Sequence, residues 1–375
     1  MTLWQGEKLR LLVESTTYCN AKCPQCSRTN PNGLHYSEIA PLIHMTYKDW
    51  VNMYEKSYPI IKSFHFSGQW GDCFMNPDIE NIFAHIRENS DCKISFSTNG
   101  SLRDTEFFWR IGADNRGIIR GTFDIDGWTQ ETHEMYRRNT NLEKIKENIE
   151  AFAATTNPTK VFTVVFKHNQ HEVDSITDWC HSLEIDHEPM QSNRFKFDTK
   201  FEYMYEGKKY LLEQTDDPRF LNDADVKRNS GREVRDHRVL KKHEDQSPDD
   251  AVIECRWGEN DKLFIDWQGN VWPCCYWHAA SSRGKGNGTQ SKGIQPSTPI
   301  YTEFMYGMAN RKFSLKENTL QEIMNHPFYT RELEKSFTGG FNLMPSCRFI
   351  CSVDSGHPKR LEAGQIRSAT SDTQS

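Results

Sequence analysis

The stretch Tyr18-Cys-Asn-Ala-Lys-Cys-Pro-Gln-Cys26 decides the fold of this chain, because it sets three cysteines in one short loop. Cys19, Cys23 and Cys26 have the spacing C-x3-C-x2-C. A zinc knuckle or ribbon normally uses C-x2-C pairs with a fourth ligand, and no fourth cysteine lies nearby. Three thiolates in one loop instead suit three corners of a cubane iron–sulfur cluster, which leaves the fourth iron open. A structural metal loop is the alternative.

The composition favours a soluble, cytoplasmic, metal-binding protein with no membrane partner. The chain has 375 residues and a net charge of −6, so no global basic field recruits nucleic acid. Its eleven cysteines are an odd number, and several cluster at metal-type spacings. The N-terminus has no apolar signal core, and no run approaches about 18 apolar residues. We therefore expect thiolates reserved for metal in a reducing compartment.

Short β-rich runs alternate with amphipathic segments through the first half of the chain. Strands are predicted at 11–16, 63–67, 93–98, 118–125, 161–167 and 183–187. Such alternation indicates a parallel sheet. Six units predict an α/β fold, a partial TIM-type (β/α)6 barrel over residues 8–191. Chemistry in such barrels sits in the loops after the strands, which is where the cysteine loop falls.

Caps and apolar stripes predict three of the helices. Thr46 and Asp49 have the spacing of a capping box, and Asn76-Pro77 has the pattern of an N-cap and first helical position. The apolar stripes of the second and third helices are Ile79, Ile82, Phe83 and Ile86, and Leu142, Ile145, Ile149 and Phe152.

Motifs at the ends of the later strands resemble those of the radical SAM enzymes, over roughly residues 8–190. Gly71-Asp72 resembles the Gly-Glu of that family's glycine-rich segment, and Thr98-Asn99-Gly100 resembles its Thr-Asn-Gly. Phe123-Asp-Ile-Asp-Gly127 replaces the usual Ser-x-Asp-Gly, and His133-Glu-Met-Tyr-Arg137 resembles its His-Asp-x-x-Arg stretch. In this family S-adenosylmethionine (SAM) chelates the open iron through its amine and carboxylate.

The resemblance implies a set of cofactor contacts. The methionine ammonium would be held at Gly71 and Asp72, and its carboxylate would pair with Arg137, because a guanidinium donates two parallel bonds. Gln25 stands where relatives have an aromatic residue near the adenine, so its backbone would line the nucleobase. The remaining contacts implied by the resemblance are Thr98, Asn99, Asp124, Asp126 and Asn169.

The second half carries a separate metal signature. Cys255 precedes a hairpin-like run, Lys262–Cys275, whose turn is Gln268-Gly269-Asn270. Cys347 and Cys351 follow far along the chain. The arrangement resembles the SPASM/twitch extension of radical SAM enzymes. A full SPASM domain has seven cysteines for two clusters, whereas Thr338 and Phe341 stand where two of them are expected. Four ligands, Cys255, Cys274, Cys347 and Cys351, imply one auxiliary 4Fe–4S cluster.

Several alternatives stay open in this half. Cys275 is the alternative ligand to Cys274, and a zinc site is the alternative to the cluster. Residues 192–250 are charged and read as a connector or insertion, 251–358 as a twitch-like domain with a hairpin and helix, and 359–375 as a disordered tail. The lone cysteines Cys73, Cys92 and Cys180 are expected to be buried small residues. A Gly-rich run at 284–288 lacks the pattern of a phosphate loop.

The resemblance implies an oxidoreductase that reductively cleaves SAM to a 5′-deoxyadenosyl radical, which then takes a hydrogen atom from an organic substrate. The auxiliary cluster would accept an electron, which gives a dehydrogenation. A carbohydrate-like small molecule is expected ahead of a peptide, and an external reductant such as flavodoxin or ferredoxin is implied. A peptide maturase, a nucleoside-modifying enzyme and a zinc-stabilised binding module are the alternatives. No residue is singled out as catalytic.

Overall fold

The computed structural model describes residues 3–36, 41–192, 194–195, 199–221, 252–282, 297–338 and 342–351. Residues 222–250, the run at 284–288, Phe341 and the tail at 359–375 lie outside them, so the predictions made for those segments stay predictions. None of the helices in the described part is long and apolar enough to cross a membrane.

Six parallel strands form the barrel sheet in their chain order. They are β1 Leu9–Val13, β2 Ile61–Phe66, β3 Lys93–Thr98, β4 Ile119–Asp124, β5 Thr159–Val165 and β6 Asp186–Gln191. The predicted partial barrel is thus confirmed. The sixth strand begins three residues later than predicted, because Leu183, Glu184 and Ile185 close the preceding helix through backbone bonds and a positive φ at Glu184.

The helices that connect these strands bury the predicted apolar stripes. They are α1 Tyr47–Tyr54, α2 Ile79–Asn89, α3 Thr105–Asp114, α4 Gln130–Glu134, α5 Leu142–Ala153 and α6 Val173–Ser182, with 3-10 turns at Glu55–Ile60, Cys73–Met75 and Gln170–Glu172. The capping box of Thr46 and Asp49 is present at α1. The predicted stripes of α2 and α5 are fully buried.

The hairpin of the second half extends the barrel sheet rather than standing apart from it. Strand β9 Lys262–Ile265 runs parallel to β1, and β10 Val271–Trp272 pairs antiparallel with β9, so the sheet order is β10-β9-β1-β2-β3-β4-β5-β6. The predicted turn is confirmed, with Asp266 accepting from the backbone of Gln268 and Asn270 and with Gly269 at φ 81°. One apolar core therefore continues from the barrel into the second half.

Helices follow the hairpin and complete the second half. They are α7 Cys275–Ser281, α8 Pro299–Ala309, α9 Leu320–Met324, α10 Leu333–Lys335 and α11 Pro345–Cys351, with a π-helical turn at Phe328–Glu332 and a 3-10 turn at Ser336–Thr338.

The described part of segment 192–250 is a hairpin and not a bare connector. Strands β7 Lys200–Tyr205 and β8 Lys208–Glu213 pair through a turn in which Glu206 and Gly207 both have positive φ, as two-residue hairpin turns require. Met204 donates to the Pro31 carbonyl at 2.7 Å, and Gly33 donates to the Met204 carbonyl at 3.1 Å. The hairpin thus fixes the position of Pro31 and Gly33, in the segment that follows the cysteine loop.

Asn76 is not the N-cap that the sequence predicts. Helix α2 begins at Ile79 with Asp78 as its N-cap, and Asn76 instead ends the preceding 3-10 turn. Its fully buried amide donates to the carbonyls of Ser15 and Met45, each at 2.9 Å. The amide therefore joins the end of β1 to the chain that enters α1.

We expect Asn76→Ala to destabilise the metal-free protein by about 2–3 kcal/mol, because two buried hydrogen bonds, to the carbonyls of Ser15 and Met45, are lost. Urea unfolding measures the change. Asn89→Ala is the matched control, because that exposed amide bonds only within its own helix, and its effect should stay within about 0.5 kcal/mol. Equal effects of the two substitutions would contradict this role of Asn76.

Candidate active site

The cysteine loop lies directly after β1, at the edge where the parallel strands end. Cys26 donates to the Cys23 carbonyl at 3.0 Å, and Thr29 donates to the Cys26 carbonyl at 3.1 Å. The Thr29 hydroxyl also donates to the Cys23 carbonyl at 2.5 Å. These short-range bonds fold the loop into a tight turn. Three free thiols, of Cys19, Cys23 and Cys26, are thereby held on one short segment.

The three thiols are close enough for their charges to interact. Burial raises the pKa of Cys19 well above its usual range, with Asp72, Cys23 and Cys26 adding to the rise. Burial raises the pKa of Cys23 to about 12, although Arg137 opposes it. Within the described ranges, no three His, Cys, Asp or Glu side chains converge to hold a single metal ion. A cubane does not need such convergence, because each thiolate binds a different iron.

The glycine-rich segment is pressed against the start of the cysteine loop. A Cβ on Gly71 would lie 2.1 Å from the Thr16 carbonyl oxygen, so only glycine fits there. The next residue, Asp72, donates its backbone N–H to the Tyr18 carbonyl at 2.8 Å. The two predicted residues are therefore placed beside the thiols.

The Asp72 carboxylate accepts hydrogen bonds from Thr98 and Asn99, the two predicted residues at the end of β3. It accepts from the Thr98 hydroxyl at 2.8 Å, the Asn99 backbone at 2.9 Å and the Asn99 side-chain amide at 2.7 Å. The same amide donates to Asn20 and lies 3.9 Å from the Cys19 sulfur. Burial raises the pKa of Asp72, while these hydrogen bonds oppose the rise. Thr98, Asn99 and Asp72 thus form one network that touches the cysteine loop.

Arg137 spans the two predicted carboxylates at the end of β4. Its guanidinium lies 3.1 Å from Asp124 and 2.5 Å from Asp126, and one of its nitrogens lies 3.8 Å from the Cys23 sulfur. Burial raises the pKa of Asp124 to about 7, with Arg137 opposing the rise. The structure brings these residues together with Cys23, while the guanidinium faces side chains of the protein itself. Pairing of Arg137 with the methionine carboxylate stays a prediction of the resemblance.

Two predicted residues bond to the protein itself. Asn169 accepts from the Phe166 backbone and donates to the carbonyls of Asp126 and Val164, so it positions the Asp126 loop. Gln25 is buried, its amide oxygen accepts from the Ser192 hydroxyl, and its carbonyl accepts from Arg194. Their contacts with an adenosine stay predictions.

The cysteines of the second half form another interacting set. Burial raises the pKa of Cys274 well above its usual range, with Cys275, Cys347 and Cys255 contributing, and raises the pKa of Cys255 to about 11, with Cys351 contributing. Cys274 is the N-cap of α7, and Cys347 and Cys351 lie on α11. All four predicted ligands are therefore connected by electrostatic interactions between their thiols. The thiol of Cys275 interacts with Cys274, with Cys351 and with Glu14 of the barrel.

Gln69 joins the two halves, a role that no sequence pattern revealed. Its amide donates to the Cys275 carbonyl at 2.7 Å and its oxygen lies 2.5 Å from Nδ1 of His278. Burial lowers the pKa of His278 to about 3, so the neutral ring donates this bond through its Nδ1 proton. The Gln69 carbonyl also accepts from Ser27, the residue after Cys26. One residue thereby connects both cysteine sites, through its backbone carbonyl and its side chain.

Comparison with known protein families agrees with these two sites. The model of the radical SAM superfamily matches residues 13–180, and the model of the SPASM iron–sulfur cluster-binding domain matches residues 255–352. The chain is a radical SAM protein with a C-terminal SPASM domain. It is therefore an enzyme of the class that uses iron–sulfur clusters and SAM. No curated protein matches the chain at a significant level.

Solved structures share the fold at low identity. Streptococcus suis SuiB bound to S-adenosylmethionine matches with a TM-score of 0.50 and 15% identity, over 87% of this chain and 76% of that one. Native anSMEcpe with bound AdoMet and the Cp18Cys peptide matches with a TM-score of 0.49 and 14% identity, over 91% and 86%. SuiB bound to the precursor peptide SuiA matches with a TM-score of 0.49 and 15% identity, over 87% and 75%.

The residues present fit the cofactors of this family. The radical SAM domain binds a 4Fe–4S cluster and SAM, for which the chain offers three thiols in one loop, and the SPASM domain binds auxiliary iron–sulfur clusters, for which it offers four linked thiols. Ligating thiols must lose their protons, and the raised pKa values mean that metal binding has to drive this loss. Cys73, Cys92 and Cys180 are buried, as predicted.

Asp124 should contribute a fall in the stability of the metal-free protein as pH rises from 5 to 7. Its pKa near 7 exceeds the ordinary value, so the folded state holds a proton that the unfolded chain has lost. Asp124→Asn should reduce the slope between pH 5 and 7 by up to about 1.4 kcal/mol per pH unit. Urea unfolding at each pH measures this, and the exposed Glu131→Gln is the control. An unchanged slope in Asp124→Asn would refute the assignment.

Proposed function

We propose that the chain is a radical SAM oxidoreductase that acts on a peptide or protein and passes an electron to one auxiliary 4Fe–4S cluster. The observation that carries this proposal is the juxtaposition of two sets of thiols, one at the barrel edge and one around α7. Cys275 and Glu14 interact electrostatically, and Gln69 accepts a bond from the Ser27 hydroxyl through its backbone carbonyl and donates to the Cys275 carbonyl through its side chain. This proximity suits electron transfer between the two sites.

When bound, the cluster and SAM supply the one-electron cleavage that yields a 5′-deoxyadenosyl radical. The protein positions the reactants and excludes water. Asp72, Thr98 and Asn99 form a rigid network beside Cys19, and Arg137 is fixed beside Cys23. The predicted SAM contacts are part of this proposal: Gln25, Gly71, Asp72, Thr98, Asn99, Asp124, Asp126, Arg137 and Asn169.

The auxiliary site has thiols for every iron. Cys255, Cys274, Cys347 and Cys351 supply four ligands, so no open corner remains for a substrate. Cys274 is favoured over Cys275, because its thiol interacts with two of the other proposed ligands, Cys347 and Cys255, whereas the thiol of Cys275 interacts with one of them, Cys351, and with Cys274 itself. A site without an open iron suits electron transfer. An external one-electron reductant such as flavodoxin or ferredoxin would supply the barrel cluster.

A peptide is favoured as the substrate class, in place of the carbohydrate-like molecule expected from the sequence. Support comes from the fold shared with SuiB, which is also known in complex with its precursor peptide. The described residues and the comparisons do not support a carbohydrate-like substrate. The domain limits 8–191 and 251–358 and a cytoplasmic location belong to the same proposal.

Purified anaerobic protein should contain about eight irons per chain, as two 4Fe–4S clusters require. Replacing Cys255 and Cys347 together with alanine should lower this to about four, because only the barrel cluster keeps its ligands. The double variant should still form 5′-deoxyadenosine from SAM under strong reduction. Iron and sulfide analysis and chromatography measure these quantities.

Cys73→Ala is the matched control, because that buried thiol lies outside both sets, and its iron content should not change. Colourless protein that contains zinc, or iron-replete protein that forms no 5′-deoxyadenosine, would contradict the proposed function. Deuterium transfer from labelled peptides into 5′-deoxyadenosine tests the substrate class.

A further inference from the structure

Arg28 is a buried cation with no bonding partner among the described residues. Only 2% of its surface is exposed, and none of its three guanidinium nitrogens has a hydrogen-bond partner. Burying an unpaired charge is strongly unfavourable, and an arginine stays protonated in proteins. A side chain placed in this way indicates a negative charge that the described residues do not provide through a direct bond.

The position of this guanidinium is fixed. It lies over the ring of Tyr36, 4.6 Å from the ring centre, and the Tyr36 hydroxyl donates to the Cys19 carbonyl. The ring therefore holds the cation against the backbone of the cysteine loop. The groups whose charges act on it are Tyr36, Cys26, Cys19 and Glu14.

Glu14 makes neither an ion pair nor a hydrogen bond with Arg28, because none of the guanidinium nitrogens has such a partner among the described residues. Its buried carboxyl group accepts a bond from the Trp70 backbone instead. The thiols of Cys19 and Cys26 are the other described groups that act on Arg28 and can carry negative charge. Those two thiols do so when they bind iron as thiolates.

Two other arginines near the loop, Arg137 and Arg194, differ from Arg28. Arg137 is paired with the carboxylates of Asp124 and Asp126, and Arg194 donates to the Gln25 carbonyl. Their charges have partners within the protein. The nitrogens of Arg28 are also out of contact with solvent, so a dissolved substrate would have to displace protein to reach them. The negative charge of the thiolates in the cysteine loop matches these facts better than the charge of a dissolved substrate does.

We propose that Arg28 is the fixed counter-charge of the three-cysteine cluster and favours its reduced form. A cubane with three thiolates is negative and becomes more negative on reduction, so a buried cation beside two of those thiolates raises the reduction potential. Arg28 acts as a positioning charge and touches no substrate. The inference rests on the barrel cluster of the proposed function.

The test is an EPR-monitored redox titration of the loaded enzyme, with the barrel cluster recognised by the response of its signal to SAM. Arg28→Met keeps the apolar stem and removes the charge. At a fixed potential its ratio of reduced to oxidised barrel cluster should fall at least tenfold, which corresponds to a shift of 59 mV for one electron. Arg28→Lys should shift less than half as far, because it keeps the charge.

Arg110→Met is the matched control, because this arginine is on the surface and pairs with Glu80, and its titration should match the unmodified enzyme. An unchanged titration of Arg28→Met, or an equal shift in Arg28→Lys, would overturn the proposal. If Arg28→Met fails to assemble the barrel cluster, loading of Arg28→Lys supports the proposal and its failure to load overturns it. Failure of the proposed function would show separately, as absence of iron from the unmodified protein.

Metal-free protein offers a second readout that a merely structural role would not give. Without the cluster the charge of Arg28 is unpaired, so Arg28→Met should raise the urea midpoint of the metal-free protein. An ordinary packing role predicts a lower midpoint instead, and that result would count against the proposal.

Discussion

The site depends on the hydrogen bonds of Asp72. The backbone N–H of this residue donates to the Tyr18 carbonyl, at the start of the cysteine loop, and its carboxylate accepts from Thr98 and Asn99 at the end of β3. This arrangement requires glycine at position 71, because any side chain there would collide with the Thr16 carbonyl. The segments at the ends of β1, β2 and β3 are therefore joined by one set of buried hydrogen bonds. These bonds hold the side chains of the site in fixed positions, as radical chemistry requires.

The second constraint is the pairing of β9 with β1. Because the hairpin continues the barrel sheet, the helix that follows it begins beside the barrel edge. Cys274 and Cys275 are thereby brought near Gln69 and Glu14 without a separate docking interface. The distance between the two cysteine sites is thus determined by sheet hydrogen bonds, which vary little. A constant distance between the two cysteine sites favours electron transfer between them.

Local patterns predicted most of the barrel, and they are the source of the proposed metal ligands. Cysteine spacing, the glycine-rich segment and the apolar stripes each depend on residues a few positions apart, so one sequence contains the whole signal. The pairing of Lys262–Ile265 with Leu9–Val13 joins segments some 250 residues apart, and no local pattern encodes it. The strand β7 was missed because its charged neighbours hid a Glu-Gly turn between alternating aromatic residues.

Asn76 was misassigned because its amide bonds to distant carbonyls. Glu14 and Arg28 matter through burial, and Gln69 matters through hydrogen bonds to residues distant in the sequence; composition reveals neither.

The central claim is that three thiols hold a cluster whose fourth iron binds SAM. The most direct measurement is electron–nuclear double resonance on the reduced enzyme with SAM labelled with 15N at its amino group. The account predicts a hyperfine coupling between the label and the barrel cluster, and its loss in Cys23→Ala. A reduced, iron-replete enzyme that binds labelled SAM without any such coupling would contradict the account.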